Sequence, residues 1–185
     1  MSNIFLTSDT HLSHNRPFMY EPRGFNSIEE HDEAIIHNWN SIVAADDIVY
    51  HLGDTFLSDA ETGIKNFARL NGQIKIIIGN HDTAAKLSKL AELDNIEIMG
   101  YATIIKDGKY GFYLSHYPTK VGGDYNMRDK LWCLCGHSHT NDPLADAALK
   151  SYHVELDAHN NYPVALEDIR GDIRRYKEEY FNENR

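Results

Sequence analysis

Hydrophobic and polar positions divide this chain into alternating strands and helices. Short apolar runs bounded by polar or glycine residues predict buried strands, and segments with apolar residues every three or four positions predict amphipathic helices. The predicted strands cover residues 3–8, 48–52, 74–78, 96–99, 103–106, 110–115, 131–135 and 152–156. The predicted helices cover residues 27–43, 60–70, 84–93 and 166–180.

Local signals support several of these boundaries. Ser27 followed by Glu30 is typical of a capping box and predicts the start of the first long helix. Asp107 and Gly108 predict a hairpin turn between two strands. Gly171 weakens the last helix, because glycine loses more backbone freedom there than other residues do.

The order of the elements predicts the fold class. Strand–helix–strand units fill the first half of the chain, and the second half is rich in strands, so we expect a mixed sheet system covered by helices. No linker, repeat or low-complexity segment interrupts the pattern. We therefore predict a single α/β domain over residues 1–185.

Composition restricts the protein class and its compartment. With 185 residues, 42% hydrophobic and 25% charged, the chain is typical of a soluble globular domain. No apolar run is long enough to cross a membrane, and the first residues do not resemble a secretion signal. Cys133 and Cys135 alternate in an apolar run, which favours free thiols on one face of a strand. We expect a cytoplasmic protein, or a protein of the host cytoplasm if a phage encodes it.

The charge balance disfavours long nucleic acids as partners. The formal net charge is −10, whereas a protein that wraps DNA or RNA is normally basic. A small anionic substrate is still compatible with this charge. Residues 12–26 and 117–130 form loops without basic clusters, and their scattered cations are Arg16, Arg23, Lys120, Arg128 and Lys130.

Five polar motifs follow predicted strands and indicate metal chemistry. They are Asp9-x-His11, Gly53-Asp54, Gly79-Asn80-His81-Asp82, His116 before Tyr117-Pro118, and Gly136-His137-Ser138-His139. Carboxylate and imidazole groups bind Mn, Fe, Zn and related divalent ions, and strand ends are where loops of an α/β fold converge. In an extended segment, residues i and i+2 point the same way, so each D-x-H or H-x-H pair can enter one pocket. Each motif alone is often accidental; their joint occurrence after strands indicates a metal site.

The same five motifs, in this order, resemble the pattern of the calcineurin-like metallophosphoesterase superfamily. That pattern is D-x-H, then G-D, then G-N-H-D/E, then H, then G-H-x-H, and it is complete here between positions 9 and 139. Residues 8–14, 38–40, 49–54 and 161–164 also resemble a small phage and bacterial branch of the family. The resemblance therefore spans almost the whole chain.

The resemblance implies a fold and a set of site residues. The implied fold is a four-layer α/β/β/α sandwich, with two mixed sheets flanked by helices and a two-metal centre at the strand ends. The implied ligands are Asp9, His11 and His139 for one metal, Asn80, His116 and His137 for the other, and Asp54 as the bridge. His81 would lie beside the metals as a catalytic residue, with Asp82 fixing the orientation of its ring. Manganese is the expected metal, with Fe, Zn, Ni or Mg as alternatives.

These residue types predict hydrolysis of phosphoester bonds. A pair of divalent ions can hold a bridging hydroxide and clamp the phosphoryl oxygens, and His81 can protonate the leaving oxygen. We expect a small phosphodiester or nucleotide-like substrate. The alternatives are a phosphomonoesterase with the same centre, a catalytically silent metal-binding scaffold of the same fold, and a nuclease acting on long polymers.

The remaining histidines and cations divide into two groups. His14, Arg16 and Arg128 are candidates for contact with the substrate, because they lie on loops near the motifs. Structural or surface roles are expected for His31, His37, His51, His153 and His159. The sequence leaves the oligomeric state open.

Overall fold

The computed structural model describes residues 2–57, 59–121 and 130–183. The strands are β1 (Ile4–Thr7), β2 (Ile48–His51), β3 (Gln73–Ile77), β4 (Ile96–Gly100), β5 (Ala102–Asp107), β6 (Tyr110–Ser115), β7 (Leu131–Cys135), β8 (Ser151–His153) and β9 (Val164–Ala165). The helices are α1 (Pro17–Tyr20), α2 (Ile28–Ile42), α3 (Ala60–Phe67), α4 (Ala84–Leu90) and α5 (Leu166–Glu183). Short 3-10 turns span Ala147–Leu149 and Leu156–His159.

The strands form two mixed sheets, as the resemblance implies. The first has the order β4-β3-β2-β1-β9; its first four strands are parallel, and β9 is antiparallel to β1. The second has the order β5-β6-β7-β8, with an antiparallel β5–β6 hairpin followed by two parallel pairings. The expected architecture of two mixed sheets flanked by helices is therefore confirmed.

Two apolar clusters lie on the two faces of the first sheet. Because side chains alternate along a strand, neighbouring residues of β1 enter different clusters. Phe5 belongs to the cluster that contains Trp39 of α2. Leu6 belongs to the cluster between the sheets, together with Trp132 of β7 and Ile169 of α5. The strand ends are thus fixed from both sides.

Most predicted elements agree with the structure, and the differences occur in short segments. The hydrophobic pattern does not predict helix α1 or strand β9, since four and two residues are too short to show a period. The strand predicted over 152–156 is shorter, because a 3-10 turn begins at Leu156. The cap at Ser27 is confirmed by its side chain, which accepts a bond from the backbone N–H of Glu30 at 3.1 Å.

The two cysteines lie where the alternation pattern predicts. Cys133 and Cys135 are free, buried and part of one small apolar cluster on a single face of β7. Among the helices of the described residues, none is both long and apolar enough to span a membrane.

The fold brings together basic residues that are far apart in the sequence. Lys109, Lys130, Arg174 and Lys177 line one cavity of about 600 Å³. This cavity lies at the start of β6, and the polar motif with His116 follows the other end of that strand. Five residue steps along a strand span about 17 Å. The basic cavity is therefore separate from the site formed by the motifs.

Candidate metal centre

The polar motifs meet where the parallel strands of both sheets end. Asp9 follows β1, Asp54 follows β2 and Asn80 follows β3, so these side chains share one edge of the first sheet. His116 and His137 follow β6 and β7 at the facing edge of the second sheet. The carboxyl ends of parallel strands converge in this way, which explains why the motifs gather although they are far apart in the sequence.

Strained backbone is concentrated at the predicted ligands. Five of them have positive φ angles: Asp9 (55°), His11 (46°), Asp54 (58°), His137 (73°) and His139 (49°). This left-handed conformation costs a residue other than glycine about 1–2 kcal/mol, and such strain is typical of functional sites. The sequence pattern predicts that the D-x-H and H-x-H pairs are extended. Their backbone is left-handed instead, and the two members of each pair come together through turns. The prediction of an extended backbone is therefore wrong for these pairs.

Glycines leave space for the carboxylates. A Cβ atom at Gly79 would lie 2.3 Å from Oδ1 of Asp54, and a Cβ atom at Gly136 would lie 2.3 Å from Oδ2 of Asp9. Real atoms cannot approach so closely. The glycines of these two motifs are therefore required by close packing against the side chains of Asp54 and Asp9.

The first ligand group contains Asp9, His11 and His139. Oδ1 of Asp9 lies 3.7 Å from Nε2 of His11 and 3.7 Å from Nε2 of His139. Nδ1 of His139 is 2.9 Å from a carboxylate oxygen of Asp157, so this nitrogen donates its hydrogen and Nε2 keeps its lone pair. Within the described residues, neither Oδ1 of Asp9 nor the ring nitrogens of His11 have a hydrogen-bond partner, although all are buried. A divalent ion would satisfy Oδ1 of Asp9 and Nε2 of His11, the ring nitrogen that faces it.

The second ligand group surrounds Asp54. Oδ2 of Asp54 lies 3.7 Å from Nε2 of His11 and 3.6 Å from Nε2 of His116. His116 donates from Nδ1 to the Leu52 carbonyl at 2.8 Å, and its Nε2 faces Oδ1 of Asn80 at 2.8 Å. If the His116 ring is neutral, the lone pair of its Nε2 then faces a lone pair of the Asn80 oxygen. A cation bound to both atoms stabilises this arrangement. The ring of His137, a predicted ligand of this group, lies nearby, with its centroid 5.1 Å from that of His116.

The pKa values of two of the three residues in the first group favour the unprotonated form. Burial alone would raise the pKa of Asp9, but the hydrogen bond and charge of His11, with His139 and His116 nearby, lower it well below its usual range. Burial lowers the pKa of His11. Burial also acts to lower the pKa of His139, but Asp157 and Asp9 outweigh it and raise that pKa. Carboxylate and neutral imidazole are the forms that bind divalent metals.

Asp82 stabilises the loops of the site. One of its oxygens accepts bonds from the backbone N–H groups of Asp54 (2.8 Å) and Gly79 (2.9 Å). The other accepts from the backbone N–H and the hydroxyl of Thr55, at 3.1 and 2.8 Å. The resemblance implies that Asp82 orients the ring of His81. Among the described bonds it joins the loops after β2 and β3 instead, because both of its oxygens are directed at backbone donors.

His81 and His14 border a cleft of about 660 Å³ beside the two ligand groups. Nε2 of His81 lies 3.9 Å from Oδ2 of Asp54, and the His81 side chain is 49% exposed. The His14 ring has a pKa lowered to about 4, because it is partly buried and lies near His11 and His81. The apolar side of the cleft consists of Phe18, Met19, Pro22 and Leu57.

The other predicted substrate contacts have different positions. Arg16 is exposed at the start of α1 and does not line the cleft described above. Arg128 lies outside the described residues. Arg23, expected to be a cation of the recognition loop, is instead buried and bonded to Asp157 at 2.7 and 3.0 Å.

Sequence reasoning missed Asp157 and gave Arg23 the wrong environment. Asp157 belongs to no motif and follows β8 within a 3-10 turn, so no local signal identifies it. His51 has the structural role expected of it, since its buried ring bonds to the Thr10 hydroxyl at 2.9 Å.

Sequence and structure comparisons relate this chain to known proteins. A sequence model described as the calcineurin-like phosphoesterase superfamily domain matches residues 2–151. An uncharacterized protein of Methanocaldococcus jannaschii is 33% identical over 175 residues, covering 91% of this chain and 90% of that protein. The structure of an Aquifex aeolicus protein of unknown function is similar with a TM-score of 0.67 at 20% identity, covering 92% of this chain and 99% of the other. An archaeal phosphodiesterase has a TM-score of 0.50 at 20% identity, with 82% of each chain covered.

Proposed function

The chain belongs to the calcineurin-like phosphoesterase superfamily, and we propose from this premise that it hydrolyses small phosphodiesters or nucleotide-like substrates with two divalent ions. One observation carries the proposal: a single oxygen of Asp54 lies 3.7 Å from Nε2 of His11 and 3.6 Å from Nε2 of His116. An anionic oxygen that faces a histidine of each ligand group is what a bridged pair of cations requires.

The proposed ligands fall into two groups, one for each ion. Asp9, His11 and His139 would hold one ion; Asn80, His116 and His137 would hold the other; Asp54 would bridge them. When bound, such ions, with manganese as our first choice, would activate water and neutralise the phosphoryl oxygens. The amide of Asn80 adds no negative charge, which leaves the centre attractive to a phosphate.

We assign the proton of the leaving oxygen to His81. Its half-exposed ring borders the cleft, and its backbone N–H donates to Oδ1 of Asp54 at 2.9 Å. This bond fixes the base of the side chain relative to the proposed bridge. A ring held beside the reacting phosphate can donate a proton to the departing alkoxide or stabilise its charge.

The lining of the cleft favours diesters over monoesters. Phe18, Met19, Pro22 and Leu57 offer an apolar surface to the second ester group of a diester. Among the described residues that line the cleft, none is a lysine or an arginine that would match the extra charge of a monoester. His14 has a buried Nδ1 atom, and this atom has no hydrogen-bond partner in the described part of the chain. It can therefore bond to the substrate. The chemistry is compatible with the cytoplasm, where we place the protein.

Metal removal tests the centre itself. We expect purified protein saturated with Mn²⁺ to contain two ions per chain, and chelation to abolish hydrolysis until Mn²⁺ is restored. Elemental analysis and titration calorimetry measure this stoichiometry. A stoichiometry of one ion or none would contradict the two-metal proposal, and tight metal binding without hydrolysis of any phosphoester would favour the scaffold alternative.

A substrate panel tests the diester preference. We expect kcat/KM for an aryl phosphodiester to exceed that for the matching monoester and for a duplex oligonucleotide. KM for the diester should change little with salt, because one phosphoryl group makes few ionic contacts, whereas duplex binding falls steeply with salt. The three substrates are compared at two ionic strengths. Preference for the monoester would favour a phosphatase, and preference for the duplex at both salt concentrations would favour a nuclease.

A further inference from the structure

A buried arginine lies behind the first ligand group. The side chain of Arg23 is 1% exposed, although arginine is almost never buried unless it is paired. Its Nε and Nη2 atoms donate to the two carboxylate oxygens of Asp157 at 3.0 and 2.7 Å. Nη1 bonds to Nε2 of His31 at 3.1 Å and to the carbonyl of Thr10 at 3.4 Å. The guanidinium is therefore fixed in one orientation.

Arg23 is connected to two predicted ligands of the same metal. Nη2 donates to the backbone carbonyl of Asp9 at 2.7 Å, next to the left-handed φ of 55° at that residue. Through Asp157 it is also connected to His139, whose Nδ1 donates to the Asp157 carboxylate at 2.9 Å. None of the described bonds of Arg23 reaches Asn80, His116 or His137.

The chemistry of arginine and aspartate explains why these two residue types occur at positions 23 and 157. A carboxylate that accepts the second N–H of a metal-binding histidine fixes the tautomer and direction of the ring. Burial alone would raise the pKa of Asp157, but its bonds to His139 and Arg23 lower it well below its usual range. Arginine provides a planar fork that holds this carboxylate and the Asp9 carbonyl at once, which the ammonium group of lysine cannot do.

We propose that Arg23 and Asp157 are positioning residues for one of the two metals, the one held by Asp9, His11 and His139. Arg23 holds the strained backbone of Asp9 and the carboxylate of Asp157, and Asp157 directs Nε2 of His139 toward the metal. This inference rests on the proposed two-metal function. It adds an asymmetry: the pair bonds directly to two ligands of one metal position, whereas it reaches the other position only through Asp9, whose Oδ2 accepts from the backbone N–H of His137 at 2.9 Å.

Titration of the metal-free full-length protein with Mn²⁺ tests the asymmetry, with calorimetry and Mn²⁺ electron paramagnetic resonance to separate the two binding events. We expect Arg23→Lys and Asp157→Asn each to weaken one event roughly 10–100-fold, the typical effect of losing a partner of a metal ligand. The other event should keep its affinity. The double variant should lose little more than either single variant, because both act through one connection.

Arg69→Lys is the matched control. Arg69 also makes a two-bond ion pair, with Glu33 at 2.6 and 2.7 Å, but on the surface. We expect both metal-binding events to be unchanged in this variant.

Unchanged affinities in Arg23→Lys and Asp157→Asn would overturn the proposal, as would equal weakening of both events with a lower melting temperature of the metal-free protein. If the wild-type protein itself does not bind two ions, the proposed function fails before any variant is measured. Asp157→Asn keeps the size of the side chain and so tests the idea even if Arg23→Lys folds poorly.

Discussion

Asp54→Ala is expected to abolish turnover and to weaken both metal sites together. Oδ2 of Asp54 faces one ring nitrogen of each ligand group, at 3.7 Å from Nε2 of His11 and 3.6 Å from Nε2 of His116. In the proposed two-metal centre, its removal would leave the two cations without an anion between them. Lewis-acid stabilisation by metals is worth several kcal/mol, and each 1.36 kcal/mol is tenfold in rate, so we expect kcat to fall by roughly 10³-fold or more.

Metal titration and steady-state kinetics of Asp54→Ala measure this effect. Ser138→Ala is the control, because Ser138 lies between His137 and His139 in the sequence but does not line the cleft beside the ligand groups. We expect this control to bind two ions and to keep its activity. An Asp54→Ala variant with full occupancy of both sites would show that the carboxylate does not bridge them.

His81→Gln is expected to lose rate while both metals stay bound. The His81 ring lies at the cleft, with Nε2 at 3.9 Å from Oδ2 of Asp54, and it is not needed to complete either ligand group. General acid catalysis by a positioned side chain contributes about 10²–10⁴-fold, and we expect kcat to fall within that range. The loss should be smaller for a substrate whose leaving group is a weak base, since such a group departs without protonation.

Rates with a series of aryl and alkyl diesters test the role of His81. His37→Gln is the matched control, because His37 is an exposed histidine on α2. We expect its rates to equal those of the wild-type protein for every leaving group. If His81→Gln loses the same factor with all leaving groups, His81 acts on substrate binding and not on the leaving oxygen.

The sequence by itself determined where β1 to β8 lie along the chain and where the candidate metal-binding residues lie relative to them. Strand periodicity and the turn residues after each strand are local properties, and they suffice to place Asp9, Asp54, Asn80, His116 and His137 at strand ends. Parallel strands with a common direction then bring such ends together. The resemblance to a known family supplied the proposed division into two ligand groups.

Only the tertiary structure decided what surrounds these side chains. Arg23 and Asp157 are 134 positions apart and form an ion pair behind His139, a contact that no local pattern encodes. The left-handed backbone at Asp9 and His11 is likewise fixed by partners from another loop, the carbonyls of Gly53 and Asp54 at 2.9 and 3.1 Å.

The net charge can be read from the sequence, whereas the positions of the charges in space depend on the fold. The net charge of −10 is a property of the sequence, yet the fold collects Lys109, Lys130, Arg174 and Lys177 from three separate segments around one cavity. Electrostatic fields depend on distances in space and not on separation along the chain. The sequence therefore determined which groups are available for metal chemistry, and the packing of the two sheets decided which of them act on one another.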